Sequence, residues 1–173
     1  QNDFHNSVFK SKIESKKIKL NFDNIQENKD NVKNGATEIN LLNAKLNHKY
    51  KIEKNSFILE SNNSNLLNNN IQYNGEINFK PFFLFFNIDL EKINLFKIFQ
   101  QDSVLIEILK SEIFYNDNLN LLISLKAPKI TKIKVFEDLE LNFKVEQGVI
   151  DFNETKVKLS KIGLTELTDS NLF

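Results

Sequence analysis

The sequence predicts a mainly β, antiparallel protein with one short helical insertion, and three observations predict it. Apolar and polar residues alternate along most of the chain, most plainly where Leu139, Leu141, Phe143 and Val145 interleave with Glu140, Asn142, Lys144 and Glu146. Only the segment from Leu95 to Leu109 spaces its apolar residues by three and four. Turn-forming residues join the alternating runs in chain order, as neighbouring antiparallel strands require.

Residues 1–37 are polar and weakly patterned, apart from alternation at Ile18, Leu20 and Phe22, and read as a separate upstream segment or the end of a preceding repeat. Within them "QENKDNVKNGAT", Gln26 to Thr37, has the composition of a loop. Residues 38–173 form the main β domain. Ile39 and Leu41 mark one strand, Tyr50 and Ile52 another, Phe57 and Leu59 a third, and "SNNSNLLNNN", Ser61 to Asn70, reads as an Asn-rich loop.

From Ile71 the alternation is on odd numbers: Ile71, Tyr73, Ile77, Phe79, Phe83 and Phe85. An even set, Phe82, Leu84, Phe86, Ile88 and Leu90, overlaps it near Pro81. Proline cannot donate to a ladder, so a break or bulge is expected there, with each set facing one interior. Short helices are expected near 94–100, capped by Asn94, and near 103–111, capped by Asp102 or Ser103. Strands resume at Leu119, Leu121, Ile123 and Leu125 and stop at Pro128. A hairpin through "EQG" links Val145 to Ile150 and Phe152, and Val157 with Leu159 marks a last short strand, for eight to ten strands in all.

Composition narrows the function. The 173 residues carry 23 basic and 23 acidic side chains, and the basic ones are all Lys. Zero net charge and no Arg argue against a nucleic-acid partner. No Cys is present to build a disulfide framework or thiolate metal site. The 27 Asn beside so many Lys, Ile and Phe reflect the codon bias of an AT-rich genome. The chain has no Met and reads as a piece of a longer protein.

Catalytic motifs are missing, so the expectation is a non-enzyme without cofactor or metal. His5 and His48 are isolated and read as surface residues. Four glycines, at 35, 75, 148 and 163, do not form a phosphate-cradling loop. Glu137, Asp138 and Glu140 read as the wet side of a strand entry, and "NDN" at Asn116 to Asn118 as a turn. The glycosylation-like "NNS" at Asn62 and "NET" at Asn153 are expected by chance in a chain so rich in Asn.

The order of a hairpin into "GEINFKPFFLFFNIDLEKINLFKIF", the helical "SVLIEILKSEIF", the strand "NLNLLISLKAPKI" and then "VFEDLELNFKVEQGVIDFNETKVKL" resembles the C-terminal region of the AsmA-like family of bacterial envelope proteins, relatives of the TamB type. The resemblance spans roughly residues 38–160 and rests on strands and spacing. It implies a long, curved, groove-like antiparallel sheet with an apolar concave face. It further implies an inner-membrane anchor N-terminal to this segment, a periplasmic location, and a role in moving phospholipid to the outer membrane or assembling that membrane.

On this reading the groove lining is Phe79, Phe83, Phe85, Ile88, Leu90, Leu121, Ile123, Leu141, Phe143 and Val145, with phospholipid acyl chains as partner. Sixteen Phe against three Tyr and no Trp suit a dry lining, because Phe has no hydroxyl to satisfy. Two alternatives stand beside it: a structural or chaperone-like β scaffold for outer-membrane protein assembly, and a closed β-sandwich binding module. An open apolar face favours the groove, and a covered one the sandwich.

Overall fold

The computed structural model describes residues 5–14, 19–29, 32–41, 44–66, 69–98, 100, 114 and 116–172. It is mainly β and almost wholly antiparallel, with one short helix among the described residues, and divides into two compact units, Gln1–Pro81 and Phe82–Phe173.

The first unit is a meander of β1 (His5–Glu14), β2 (Lys19–Lys29), β3 (Val32–Leu41), β4 (Ala44–Ile52), β5 (Ser56–Leu66) and β6 (Asn69–Phe79), each antiparallel to the next. Two segments expected to be loops are therefore strands. Residues 26–29 and 32–37 extend β2 and β3, and Ser61 to Leu66 completes β5. A strand laddered on both sides is held by its backbone, and polar side chains cost little on a face that stays wet. The Asn-rich stretch leaves a mark all the same. Pairing shifts register between Ser61 and Ser64, where exposed Asn62 and Asn63 form a bulge.

The second unit begins with β7 (Phe82–Leu90). A cis Lys80–Pro81 peptide lies between β6 and β7, at the break expected from proline. The segment 91–120 then returns the chain so that β8 (Leu121–Ala127) runs parallel to β7, with Leu84 beside Leu121 and Ile88 beside Leu125. This is the parallel exception in the antiparallel sheet that the sequence predicts. A parallel pair needs a crossover of about a dozen residues or more, and this segment supplies it.

Within that segment the helix is α1 (Leu95–Ile98), shorter than the 94–100 expected. The Lys97 N–H reaches the Asn94 carbonyl at 3.1 Å and its side-chain oxygen at 3.4 Å. The helix expected at 103–111 lies outside the described residues. The turn at Asn116 is present, its side-chain oxygen accepting from the Asn118 N–H at 2.9 Å.

β9 (Phe136–Glu146) pairs with β8 and then, across Gln147 and Gly148, with β10 (Val149–Asp151). The unit ends with β11 (Lys156–Leu159) on β9, β12 (Gly163–Glu166) on β11 and β13 (Asn171–Leu172) on β10. Gln147 and Gly148 have φ of 52° and 76°, the paired left-handed conformation of a tight two-residue hairpin turn. A β-branched residue resists that conformation. Gly148→Val should lower unfolding stability by about 1–2 kcal/mol, while Gln147→Asn should hold or raise it. Urea melts of the two variants check the pair.

Candidate functional site

Registers decide which side chains share a face. In the second unit, Leu84, Leu121, Val145 and Ile150 form one cross-strand row, and Phe86, Ile123 and Phe143 the next. Ile88, Leu125 and Leu141 form a third. Seven of the ten expected lining residues thus share a face: Ile88, Leu90, Leu121, Ile123, Leu141, Phe143 and Val145. Phe83 and Phe85 do not join them. β7 is one continuous strand, so its odd positions face the other way, beside Leu122. The change of parity near Pro81 marks a change of strand, and β7 itself is apolar on both faces. Phe79 ends β6 and belongs to the first unit.

The shared face is covered by the unit's own chain. Phe114, from the crossover, packs into a buried cluster with Leu121, Phe143, Val145 and Ile150. Its ring meets Phe143 edge-on at 5.2 Å, and Phe152 approaches Phe143 from the end of β10 at 5.3 Å. A second cluster, Ile93, Ala127, Ile130 and Leu139, takes in Leu90, Leu95, Leu141 and Val157. Val145 is 1% exposed and Phe143 8%, so this part of the expected groove is core. Phe143→Ala should remove the centre of three packed rings and cost about 3–5 kcal/mol. Phe83→Ala, at a side chain 36% exposed, should cost well under half of that in the same denaturation assay.

The first unit is different. One face of β3–β6 holds Ile39 and Leu46 in one row, Tyr50 and Leu59 in another, and Ile52, Phe57 and Ile77 in a third. Ile71 and Phe79 lie on the same face of β6. These side chains are buried or half-buried, except Phe79, which is 50% exposed. The opposite row, Ala36, Lys49, Glu60 and Asn74, is exposed throughout. A concavity of about 610 Å³ takes Val8, Ala36, Lys49 and Glu60 from that side and Asn24, Thr37, His48 and Ser61 from the strand positions between them. Among the described residues of this unit, only turns lie outside the six strands, so no second layer of the unit covers the apolar face.

That face is not uniformly dry, contrary to the expected lining. A hydrogen-bonded belt crosses it. The hydroxyls of Thr37 and Tyr50 both donate to the Asn24 side-chain oxygen, at 3.0 and 2.9 Å. Tyr73 O–H lies 3.2 Å from His48 Nδ1. Ser61 and Ser64, 3% and 2% exposed, join hydroxyls at 2.7 Å. The Ser64 hydroxyl also accepts from the Asn47 N–H at 2.9 Å and donates to its carbonyl at 3.2 Å, replacing a strand partner where the bulge breaks the ladder. Single Ser, Thr and Asn residues within alternating strands give no sequence sign that they will meet.

His48, read from sequence as a surface residue, is half-buried in this belt, while the side chain of His5 lies outside the described residues. Burial disfavours its charged form and lowers its pKa below the ordinary 6.5. The unfolded chain therefore binds the proton more tightly than the folded one. The stability tied to neutral His48 is complete above about 6.5 and declines as pH falls through the lowered folded value. The urea midpoint should drop on acidification through this window, and His48→Gln should flatten that drop.

The carboxylates read as wet strand residues are so. Glu137 pairs with Lys158 at 3.2 Å and Glu140 with Lys126 at 3.6 Å, all exposed enough to add little stability. No metal-binding cluster occurs among the described residues, and no helix among them is long and apolar enough to cross a membrane. Comparison with protein-family models, curated proteins and solved structures returned no match.

Proposed function

We propose that the chain is a non-enzymatic binding segment that takes phospholipid acyl chains along the apolar face of β3–β6. It acts as part of an inner-membrane-anchored periplasmic protein that serves lipid transport to, or assembly of, the outer membrane. The observation that carries the reading is a sheet face of half-buried apolar side chains, with no second layer above it from the described residues of its own unit. Each methylene that leaves water for such a face gains about 0.8 kcal/mol. Location, anchor and biological role come from the resemblance to AsmA-like proteins.

The binding surface is relocated from the one expected. Leu121, Phe143 and Val145 belong to a closed core, whereas Phe57, Leu59, Ile77 and Phe79 are candidates to touch ligand. A second reading, the assembly scaffold, is favoured by β1, a ten-residue strand that pairs only with β2 among the described residues and so leaves an edge for a partner strand.

Photo-crosslinking residues separate the two. Probes at Phe57 and Phe79 should capture phospholipid, and probes at Lys49 and Glu60, on the exposed row, should not. Phe143 should capture none, being enclosed by Phe114 and Phe152. Leu59→Asp should abolish capture while the strands persist in circular dichroism. Equal lipid capture on both faces, or protein adducts alone, would sink the acyl-chain reading.

A further inference from the structure

The second unit carries a feature that binding along the first unit's face does not use. β11 and β12 form a hairpin whose tip is Ser160, Lys161 and Ile162. All four residues of β12 are exposed, on both faces. Ile162 is 76% exposed, Leu164 67% and Val135 51%. The Ser160 N–H donates to the Val135 carbonyl at 2.7 Å, which ties the tip to the loop before β9. Lys161 and Gly163 have φ of 68° and 118°, and no atom lies within 4 Å of where a Cβ on Gly163 would sit.

The adjoining loop, 128–135, is built one way inward and another outward. Ile130 is buried and Ile133 packs against the same cluster, while Lys129, Lys132 and Lys134 are exposed. It contains no acidic residue. Lys161 at the tip adds a fourth exposed lysine, and none of the four has an ion-pair partner among the described residues. The nearby Glu137 is already engaged by Lys158.

We propose that this end of the second unit docks on an anionic membrane surface. Ile162, Leu164 and Val135 enter the boundary between headgroups and acyl chains, and Lys129, Lys132, Lys134 and Lys161 meet lipid phosphates. Charge complementarity selects an anionic partner, and apolar residues at the tip select a bilayer over a soluble anion. Among the described residues β12 pairs only with β11 and is exposed along its whole length, so it offers a sheet-edge strand with the apolar tip beside it. The inference stands apart from acyl-chain binding by the first unit, because either can fail alone.

The chain has no Trp, so Ile162→Trp installs a single reporter at a site with room for it. With vesicles of phosphatidylcholine and phosphatidylglycerol its emission should shift to the blue, and bromine-labelled acyl chains should quench it. Phosphatidylcholine vesicles alone should leave it unchanged, and added salt should reverse the shift. Co-sedimentation of the unaltered chain should follow the same lipid order. Lys132→Gln, Lys134→Gln and Lys161→Gln together should weaken partitioning about a hundredfold, roughly fivefold per lysine. No shift, or an equal shift on neutral vesicles, overturns the proposal. So does a shift with inorganic phosphate, which points to a soluble anion, or one that grows with protein concentration without lipid, which points to a second copy. Lipid captured at Phe57 while Ile162→Trp stays silent leaves acyl-chain binding standing and removes membrane docking.

Discussion

A strand must hand its backbone amides and carbonyls to a neighbour, and wherever pairing slips another group has to take their place. This chain meets that demand twice with a single hydroxyl. Ser64 takes both the N–H and the C=O of Asn47 beside the bulge of β5. Thr155 does the same for Asn142, at 3.1 Å in each direction, where β9 faces the gap between β10 and β11. Both hydroxyls are buried, Thr155 at 4% exposure and Ser64 at 2%, where an unmet amide would cost a good fraction of a small protein's stability. These two contacts allow long, Asn-rich strands to stay laddered through their irregular points.

With the ladder secured, the side chains do different work in the two units. In Phe82–Phe173 Phe114 of the crossover and Phe152 after β10 pack on the apolar face, where they meet Phe143 ring to ring. Burial of this kind stabilises the unit and leaves nothing for a ligand. In Gln1–Pro81 the described residues outside the strands are only short turns, and none of them returns over the sheet. On its apolar face the Asn24, Thr37 and Tyr50 contacts tie neighbouring strands together. The functional proposal therefore follows connection length as much as composition.

Much of this was legible in the residues. Alternation at 139–145 and 71–79 gave β9 and β6, Gln147 and Gly148 gave the hairpin, and Pro81 and Pro128 fell where strands stop. The Asn-rich strands were illegible because composition speaks for loops, while pairing with two neighbours overrides a weak local preference. Phe83 and Phe85 were assigned to the wrong side because a strand apolar on both faces carries no parity signal. The belt around His48 was hidden, since it joins single residues from strands far apart in the chain.

The sequence by itself determined the class of this protein: strands of period two, a helical insertion near residue 95 and zero net charge, because composition, side-chain alternation and turn chemistry are local properties. Only the tertiary structure decided that β8 runs parallel to β7, that Phe143 is core while Phe57 is half-buried on a sheet face without a second layer from the described residues of its unit, and that Ile162 stands exposed beside Lys161. Those outcomes depend on which distant segment comes to lie over or beside a strand, and that is settled by crossover length and by competition among apolar surfaces for cover.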